Sequence, residues 1–578
     1  MLKDHSFGNG LFFCKKHCYL FFMVYRSPFM AALLANIVFI LVYLAFGVIC
    51  HGSLDDYFMS GILTGAYGTQ YDVHLYFVNS AYGYFLKPFY LLFPKVGWYF
   101  LFELLGTFAA FTTFSYFIIR KLGNRLGFPL ALIMLAALTP VFYFQLSFTQ
   151  CATAYTAAGI LLFSAGDSEK NKRFLIMGAF FLVAGSVMRW EGFLLGVPFL
   201  CVLLFLNYFP RKAVYKASII TLCAAIAVLY GLKKYDEHLF SQGDYKYYAE
   251  YQSPRAVLGD GAYYDSESIK DELEERGMSS LDFTFAKSWI LYDTENLNAT
   301  KLKSIIDLAR RNLYEPNWIK MPVAFFVNVS RVLTRPSGWC WFVFCILLII
   351  IPSKKTNLYP WVSLFIVAAS IGYLLLVNRV VDHVESGIWL YAIVCGIPFF
   401  NKGGIAHNRF VEEHAQKIPY IMIAVAALFA VLSVSAQPLK TQWKMIETRE
   451  MDKDWKDFVD FTHKHPNDVF LLSFDRYKEL GKAKDKPYRS IEPGSWQNIF
   501  PLGYWNMNLP AMRDELAKRG VENPIKDIIN DNVYVMEEYP YPVFLDYFEQ
   551  HYHERISVDT VYTFGNLHLL KYHHARGE

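Results

Sequence analysis

The stretch FMAALLANIVFILVYLAFGVI, Phe29–Ile49, carries no charged side chain and has the length a helix needs to cross a hydrocarbon core, about 20 residues. Lys3, Lys15, Lys16 and Arg26 precede it, and CHGSLDDYFMS, Cys50–Ser60, follows at once with two adjacent carboxylates. Basic residues before an apolar run hold that end on the cytoplasmic side. No small-residue cleavage site follows, so the run is expected to remain as a signal anchor.

Working outward, the same pattern repeats. Apolar material makes up 54% of the 578 residues and aromatic residues 18%, more than one soluble domain would use for its core, so the excess is expected to face lipid. Further runs read as spans at Tyr99–Ile119, Phe128–Ser147, Thr149–Ala165, Phe174–Met188, Gly192–Phe209, Val214–Leu232, Gly338–Ile351, Tyr359–Val377, Gly387–Phe400 and Ile418–Ser435. The total is about eleven crossings. Basic clusters at Arg120/Lys121/Arg125, Lys170/Lys172/Arg173, Arg211/Lys212/Lys216, Lys354/Lys355 and Lys402/Arg409/Lys417 fall at every second crossing and mark the cytoplasmic ends. The stretch His74–Pro94 is apolar enough to compete as a span. Lys87-Pro88 inside it, its crowding with Tyr and Phe, and the inversion it would force on every later cluster favour an interfacial or re-entrant helix.

The expected fold is therefore a polytopic α-helical membrane protein with a C-terminal extracytoplasmic α/β or α+β domain. Residues 1–436 form the transmembrane part, with a first outer loop at 51–97 and a large outer loop at 233–320, and residues 437–578 form the C-terminal domain. In the large loop, helical stretches are expected at Glu267–Glu275 and Ala299–Asn312 after a turn-rich run Ser253–Gly261. In the C-terminal part the pattern predicts a strand Val469–Phe474, a helix Pro510–Arg519 ended by Gly520, a strand Val533–Glu537, a helix Pro542–Tyr552 and a hairpin Ile556–Tyr572 turning at Phe564-Gly-Asn566.

Composition also excludes. A net charge of +4, with its basic residues at helix ends, leaves no nucleic-acid footprint. All nine cysteines precede Ser435, so residues 437–578 hold no disulfide framework. Cys14 and Cys18 flank His17, but no second ligand pair follows, and they read as juxtamembrane thiols rather than zinc ligands.

The chemistry-bearing residues gather on the outer side. They are Asp55 and Asp56 after the first span, Asp72 and His74 further along the same loop, Arg189 and Glu191 between the fifth and sixth spans, and Arg379, Asp382, His383 and Glu385 between the ninth and tenth. Glu103, an acid inside a span, sits near the same face. A carboxylate beside another has a raised pKa and suits a general base, or the two suit a divalent metal; metal dependence stays open. The planar guanidinium fork suits a phosphate, which makes Arg189 and Arg379 candidates for an anionic leaving group, with His383 assisting. Asp72, His74, Glu191, Asp382 and Glu385 are supporting candidates. Trp496 in Glu492-Pro-Gly-Ser-Trp496 and Trp505 in Phe500-Pro-Leu-Gly-Tyr-Trp505 suit stacking on a sugar ring, or a packed aromatic core. Each has a plainer employment: Asp55 and Asp56 as a helix cap, the arginines as snorkelling side chains with Glu191 or Asp382 as their partners.

At Ser53-Leu-Asp-Asp56, directly beyond the first span and followed by an apolar interfacial stretch, the chain resembles the C-superfamily of membrane glycosyltransferases. That superfamily includes protein O-mannosyltransferases and aminoarabinose transferases. The layout is most similar to bacterial members with an extracytoplasmic C-terminal domain, which implies a bacterial cytoplasmic membrane. The resemblance implies inverting transfer of a sugar from a polyprenyl-phosphate carrier to a glycan or lipid acceptor on the outer face. An Asp, with Asp56 slightly favoured, would take the acceptor proton while Arg and His stabilise the departing phosphate. A polysaccharide polymerase or ligase would use the same lipid-linked donor. A transporter should instead show broken helices with ionisable residues near the midplane, and a non-catalytic anchor would leave Asp55, Asp56 and both arginines free to vary.

Overall fold

Ser27 and Pro28 start the first apolar run as a helix: the Ser27 hydroxyl accepts from the Met30 N–H and Pro28 takes the first helical position, giving α1, Pro28–Phe46. Val38, Leu41 and Leu44 on α1 are 56%, 58% and 48% exposed, which water would penalise and lipid does not. The computed structural model describes residues 27–211, 215–261, 266–308, 318, 320–330, 333–350, 358–376, 380–400, 414, 416–434, 451–481, 487–537 and 542–575.

Beyond α1 the first loop holds two short helices, α2 (Leu54–Thr64) and α3 (Ser80–Leu92). Then come α4 (Trp98–Leu122), α5 (Asn124–Tyr143), α6 (Phe148–Glu169), α7 (Lys172–Met188), α8 (Trp190–Arg211) and α9 (Lys216–Phe240). The large polar loop opens with α10 (Tyr245–Gly261) and contains α11 (Ser280–Lys287). Later apolar helices are α12 (Lys320–Ser330), α13 (Pro336–Ile350), α14 (Tyr359–Leu376), α15 (Asp382–Val394) and α16 (Ile418–Val434). Among the described residues α1, α4, α5, α9 and α14 are long and apolar enough to cross a membrane, and α8, α13 and α16 contain shorter apolar stretches. The disputed stretch of the first loop is not one of them. Its helix α3 has 13 residues with Pro88 inside it, short of a crossing.

α6 is the central helix, buried from Phe148 to Gly166. It packs closely on α7 because glycines leave room. A Cβ on Gly159 would lie 2.7 Å from the Leu182 nitrogen, and one on Gly178 would lie 2.6 Å from the Phe163 nitrogen.

The C-terminal part folds as helices around a five-stranded sheet in the order β4-β3-β5-β7-β6, after a two-residue parallel pair β1 (Cys50–His51) and β2 (Gln145–Leu146) in the first part of the chain. β3 (Val469–Leu472) runs parallel to β4 (Ile499–Pro501) and β5 (Val533–Glu537), while β5, β7 (Leu567–His574) and β6 (Ile556–Phe564) are antiparallel. α17 (Met451–Lys464), α18 (Phe474–Leu480), α19 (Pro510–Lys518) and α20 (Pro542–Tyr552) accompany them. The expected strand Val469–Phe474 ends early because the Ser473 hydroxyl caps α18.

One local expectation is overturned. Ser253–Gly261 is not turn-rich loop but the second half of α10, with Pro254 inside the helix. Tyr248, Tyr251, Gln252, Arg255 and Leu258 recur at helical spacing and are all buried, so packing of one face outweighs the breakers. The expected helix Glu267–Glu275 is a 3-10 turn, Ser266–Ile269, followed by a short helix Lys270–Glu274; that at Ala299 runs to Ser304, and positions 309–312 of it lie outside the described residues.

The three polar segments meet at one end of the bundle. From the first loop, the Gly97 N–H donates to the Tyr488 carbonyl, and the Ala66 carbonyl accepts from the Trp496 N–H at 2.7 Å. From the large loop, the Asp293 carboxylate accepts from Asn523, Tyr547 and Tyr552 of the C-terminal part, and the Leu291 N–H donates to the Leu502 carbonyl. An even number of crossings must therefore separate these segments. Arg120 and Glu169, paired at 2.7 Å, mark the opposite end, where α4 and α6 both finish.

Candidate functional site

The carboxylates of Asp55 and Asp56 part company in the first turn of α2. Ser53, not either Asp, caps that helix, its hydroxyl accepting from the Asp55 N–H at 3.0 Å. Successive helical residues point about 100° apart, so the two side chains enter different surroundings.

Asp55 is partly buried, and its Oδ1 accepts from the Tyr504 hydroxyl at 3.0 Å and the Trp505 indole N–H at 2.8 Å. Both donors come from the segment following β4. The Trp505 carbonyl is fixed in turn by α10, accepting from Tyr248 Oη at 3.1 Å and Gln252 Nε2 at 2.7 Å. Burial pushes the Asp55 carboxyl above its ordinary pKa, while Tyr504, Trp505 and the nearby Arg189 charge oppose the rise.

Asp56 is fully buried. Its Oδ1 accepts from the Tyr99 hydroxyl at 2.9 Å and the Phe148 N–H at 3.0 Å, which ties α2 to the starts of α4 and α6. Burial raises its pKa as well, and the Asp55 charge adds to the rise.

Arg189 ends α7. Its Nη1 donates to Thr149 Oγ1 at 2.9 Å, its Nε lies 3.6 Å from Glu191 Oε2, and its guanidinium rests 4.9 Å above the Phe148 ring. Its field reaches both Asp55 and His383. On its other flank is a cavity of about 420 Å³ lined by Phe77, Arg189, Trp190, Lys233, Asp236 and others from α7, α8, α9 and the first loop. Lys233 stands 4.5 Å over the Trp190 ring, adding a second cation to this wall. His383 is pushed down to about 4, by burial first and then by Arg189, so its imidazole is neutral at pH 7 and offers hydrogen bonds rather than charge.

The remaining sequence candidates fall elsewhere or take other partners. Arg379 lies outside the described residues. Asp382 and Glu385 pair with Arg335, at 2.7 and 3.5 Å, an arginine at the foot of α13 whose place before a different span gives no sequence signal of this partnership. Asp72 Oδ1 lies 2.7 Å from His74 Nδ1, the second Asp72 oxygen accepts from the Tyr245 hydroxyl, and the His74 ring stacks on Tyr245 at 3.6 Å. These two therefore tether the first loop to α10. Trp496 takes the second of its two expected employments, a packed aromatic core: it is 4% exposed, closed in by Tyr57, Phe58 and Tyr67. Trp505 is buried too, but its N–H is on Asp55. Among the described residues no three His, Cys, Asp or Glu side chains converge as a metal-binding group. Tyr99 and Tyr504 had no sequence signal beyond their neighbours, since a tyrosine in an aromatic-rich chain carries no pattern of its own.

No family model matches the chain, and no curated protein matches it in sequence. Among solved structures it is similar to the crystal structure of ArnT from Cupriavidus metallidurans in the apo state, at 10% identity over 92% of this chain and 97% of that one, with a TM-score of 0.38. A score that low decides nothing about the site.

Proposed function

We propose that this chain is a membrane glycosyltransferase that moves a sugar from a polyprenyl-phosphate donor to an acceptor hydroxyl, with inversion and with Asp55 as general base. The observation that carries the reading is the half-buried residue Asp55, its carboxylate held by two side-chain donors at the polar end of the bundle and within the field of an arginine that lines a cavity. The likeness of Ser53-Leu-Asp-Asp56 and of the span layout to the C-superfamily supports it. Asp55 is preferred over Asp56 because a base must reach its proton, and Asp56 is sealed.

In the step, the acceptor oxygen attacks the anomeric carbon as its proton passes to Asp55, and the bond to the phosphate oxygen breaks with its electron pair. The phosphate charge then gathers beside Arg189 and Lys233, whose positions in the cavity wall suit a lipid-linked headgroup arriving between α7, α8 and α9. The raised pKa of Asp55 strengthens it as a base.

The test is transfer in nanodiscs from a panel of polyprenyl-phosphate sugars. Asp55→Asn keeps size and accepts the same hydrogen bonds but takes no proton, so transfer should fall about 10²- to 10⁴-fold with an unchanged melting profile. Near-wild-type transfer by Asp55→Asn would remove the assignment.

A further inference from the structure

The starting observation is a mismatch of donors and acceptors beneath Asp55. Asp56 Oδ1 is served by Tyr99 and Phe148, but Asp56 Oδ2 and both carboxylate oxygens of Glu103 are buried and meet no donor in full hydrogen-bond geometry, the Glu103 carboxyl lying instead against that of Asp56 and near the Tyr99 hydroxyl. Asp56 and Glu103 are each 0% exposed, and each lies in the other's immediate field. Three orphan acceptors on two adjoining carboxylates cannot stand as two anions, because like charges in a low-dielectric site repel and each bare oxygen forfeits its hydration. The titratable groups facing them are Asp55 on α2, Tyr82 and Tyr90 on α3, Tyr99 on α4, and Cys151 and Tyr155 on α6; the His51 ring packs on Tyr99. Of these six flanking groups none is a cation and only Asp55 is acidic, so no countercharge on them balances a second negative charge.

We propose that Asp56 and Glu103 share one proton, and that this carboxyl–carboxylate pair is a positioning device that pins the first turn of α2 against α4 so that Asp55 is presented to substrate. The proton sits between Asp56 Oδ2 and Glu103, turning three orphans into one charge-assisted hydrogen bond. With Tyr99 and Phe148 on Oδ1, Asp56 is then held at three points by two elements, α4 through Tyr99 and Glu103 and α6 through Phe148. Asp55 is the next residue in the chain, so any slack at Asp56 swings the neighbouring carboxylate away from Tyr504 and Trp505. Glu103 does no chemistry of its own.

The shared proton stands independently of the transferase reading; the benefit to Asp55 rests on it. The experiment uses the full chain in nanodiscs, with Glu103→Gln, Glu103→Leu and Asp56→Asn. A glutamine amide donates to Asp56 Oδ2 as the protonated acid does and leaves the pair with the same single negative charge. Infrared difference spectra of the wild type should show the C=O stretch of a buried protonated carboxyl, absent in Glu103→Gln and Asp56→Asn. Glu103→Leu should lower the melting temperature and cut kcat at least tenfold with KM within about twofold, and Glu103→Gln should recover most of both. The wild type should also lose activity on the alkaline side as the shared proton leaves, a limb that Glu103→Gln lacks. Absence of the carboxyl band, or a Glu103→Gln variant as damaged as Glu103→Leu, overturns the proposal. So does a saturable rise in wild-type melting temperature with added sodium or magnesium chloride that Glu103→Gln abolishes, which would put a cation where the proton is placed. If the band and melting results hold while no variant, nor the wild type, transfers sugar, the pair stands and the transferase reading falls.

Discussion

At the scale of single residues, the Trp505 indole is the most informative contact. It donates 2.8 Å to Asp55, and a hydrogen bond to a charged group is worth about 1.5–3 kcal/mol. Trp505→Phe keeps an aromatic ring and removes that donor, so the Asp55 pKa should rise further. The sign follows: a base works when ionised, so the acid limb of the transfer profile should move to higher pH, with the activity lost on its acid side recovered on raising the pH. Stability should follow the same direction. Because the folded pKa of Asp55 lies above its unfolded value, its contribution is complete below the unfolded carboxyl range and is lost as pH rises through the folded value. Trp505→Phe should extend that loss upward, measurable as a steeper fall in melting temperature across the acid range. An unshifted acid limb would show that Asp55 is not the titrating group. The acidic pair and Arg189 were legible in the sequence because charge beside an apolar run stands out. The partners of Asp55 were legible only as an aromatic cluster, since a contact across hundreds of residues leaves no local pattern.

At the scale of elements, α2 meets the C-terminal part through a glycine. A Cβ on Gly61 would lie 2.3 Å from Trp496 Cζ3, so the helix has no room for a side chain there. Gly61→Ala should cost about 1–3 kcal/mol through overpacking, despite alanine's better helix propensity. Adding Trp496→Phe should return part of that loss, because the smaller ring clears the site. Additive losses in thermal melts of the double variant would mean that the two residues do not press on one another. The helices themselves were readable from apolar runs, and the C-terminal elements from alternation and turn residues: β5, α20 and the β6–β7 turn lie where the pattern predicts. α10 was misread because Pro254 and its glycines look like punctuation, while the buried face that overrides them appears only once its partners are known.

At the scale of the whole molecule, the joining of three polar segments at one end fixes their common side, and the basic clusters lead us to predict that this side is outside. In a cysteine-free variant, Gln70→Cys and Thr560→Cys, both exposed, should react with an impermeant maleimide in intact cells, and Lys172→Cys only after lysis. The reverse pattern would invert the orientation while keeping the shared face. That shared face was the most legible global feature, because span parity is counted from charge and length alone; how the segments lock together depends on side chains such as Asp293, which no count reveals.

The bond between Asp55 and Tyr504 spans 449 residues of chain, and that separation sets a timetable for biosynthesis. At ordinary translation speeds of about 5–20 residues per second, the carboxylate is inserted roughly 20–90 s before the residues that hold it have been made. Through that interval the nascent bundle displays an unroofed acid and an unfilled groove along α2. The last stretch of synthesis therefore acts as the maturation step, and a ribosome that stalls before Trp505 releases a fully inserted but unarmed protein.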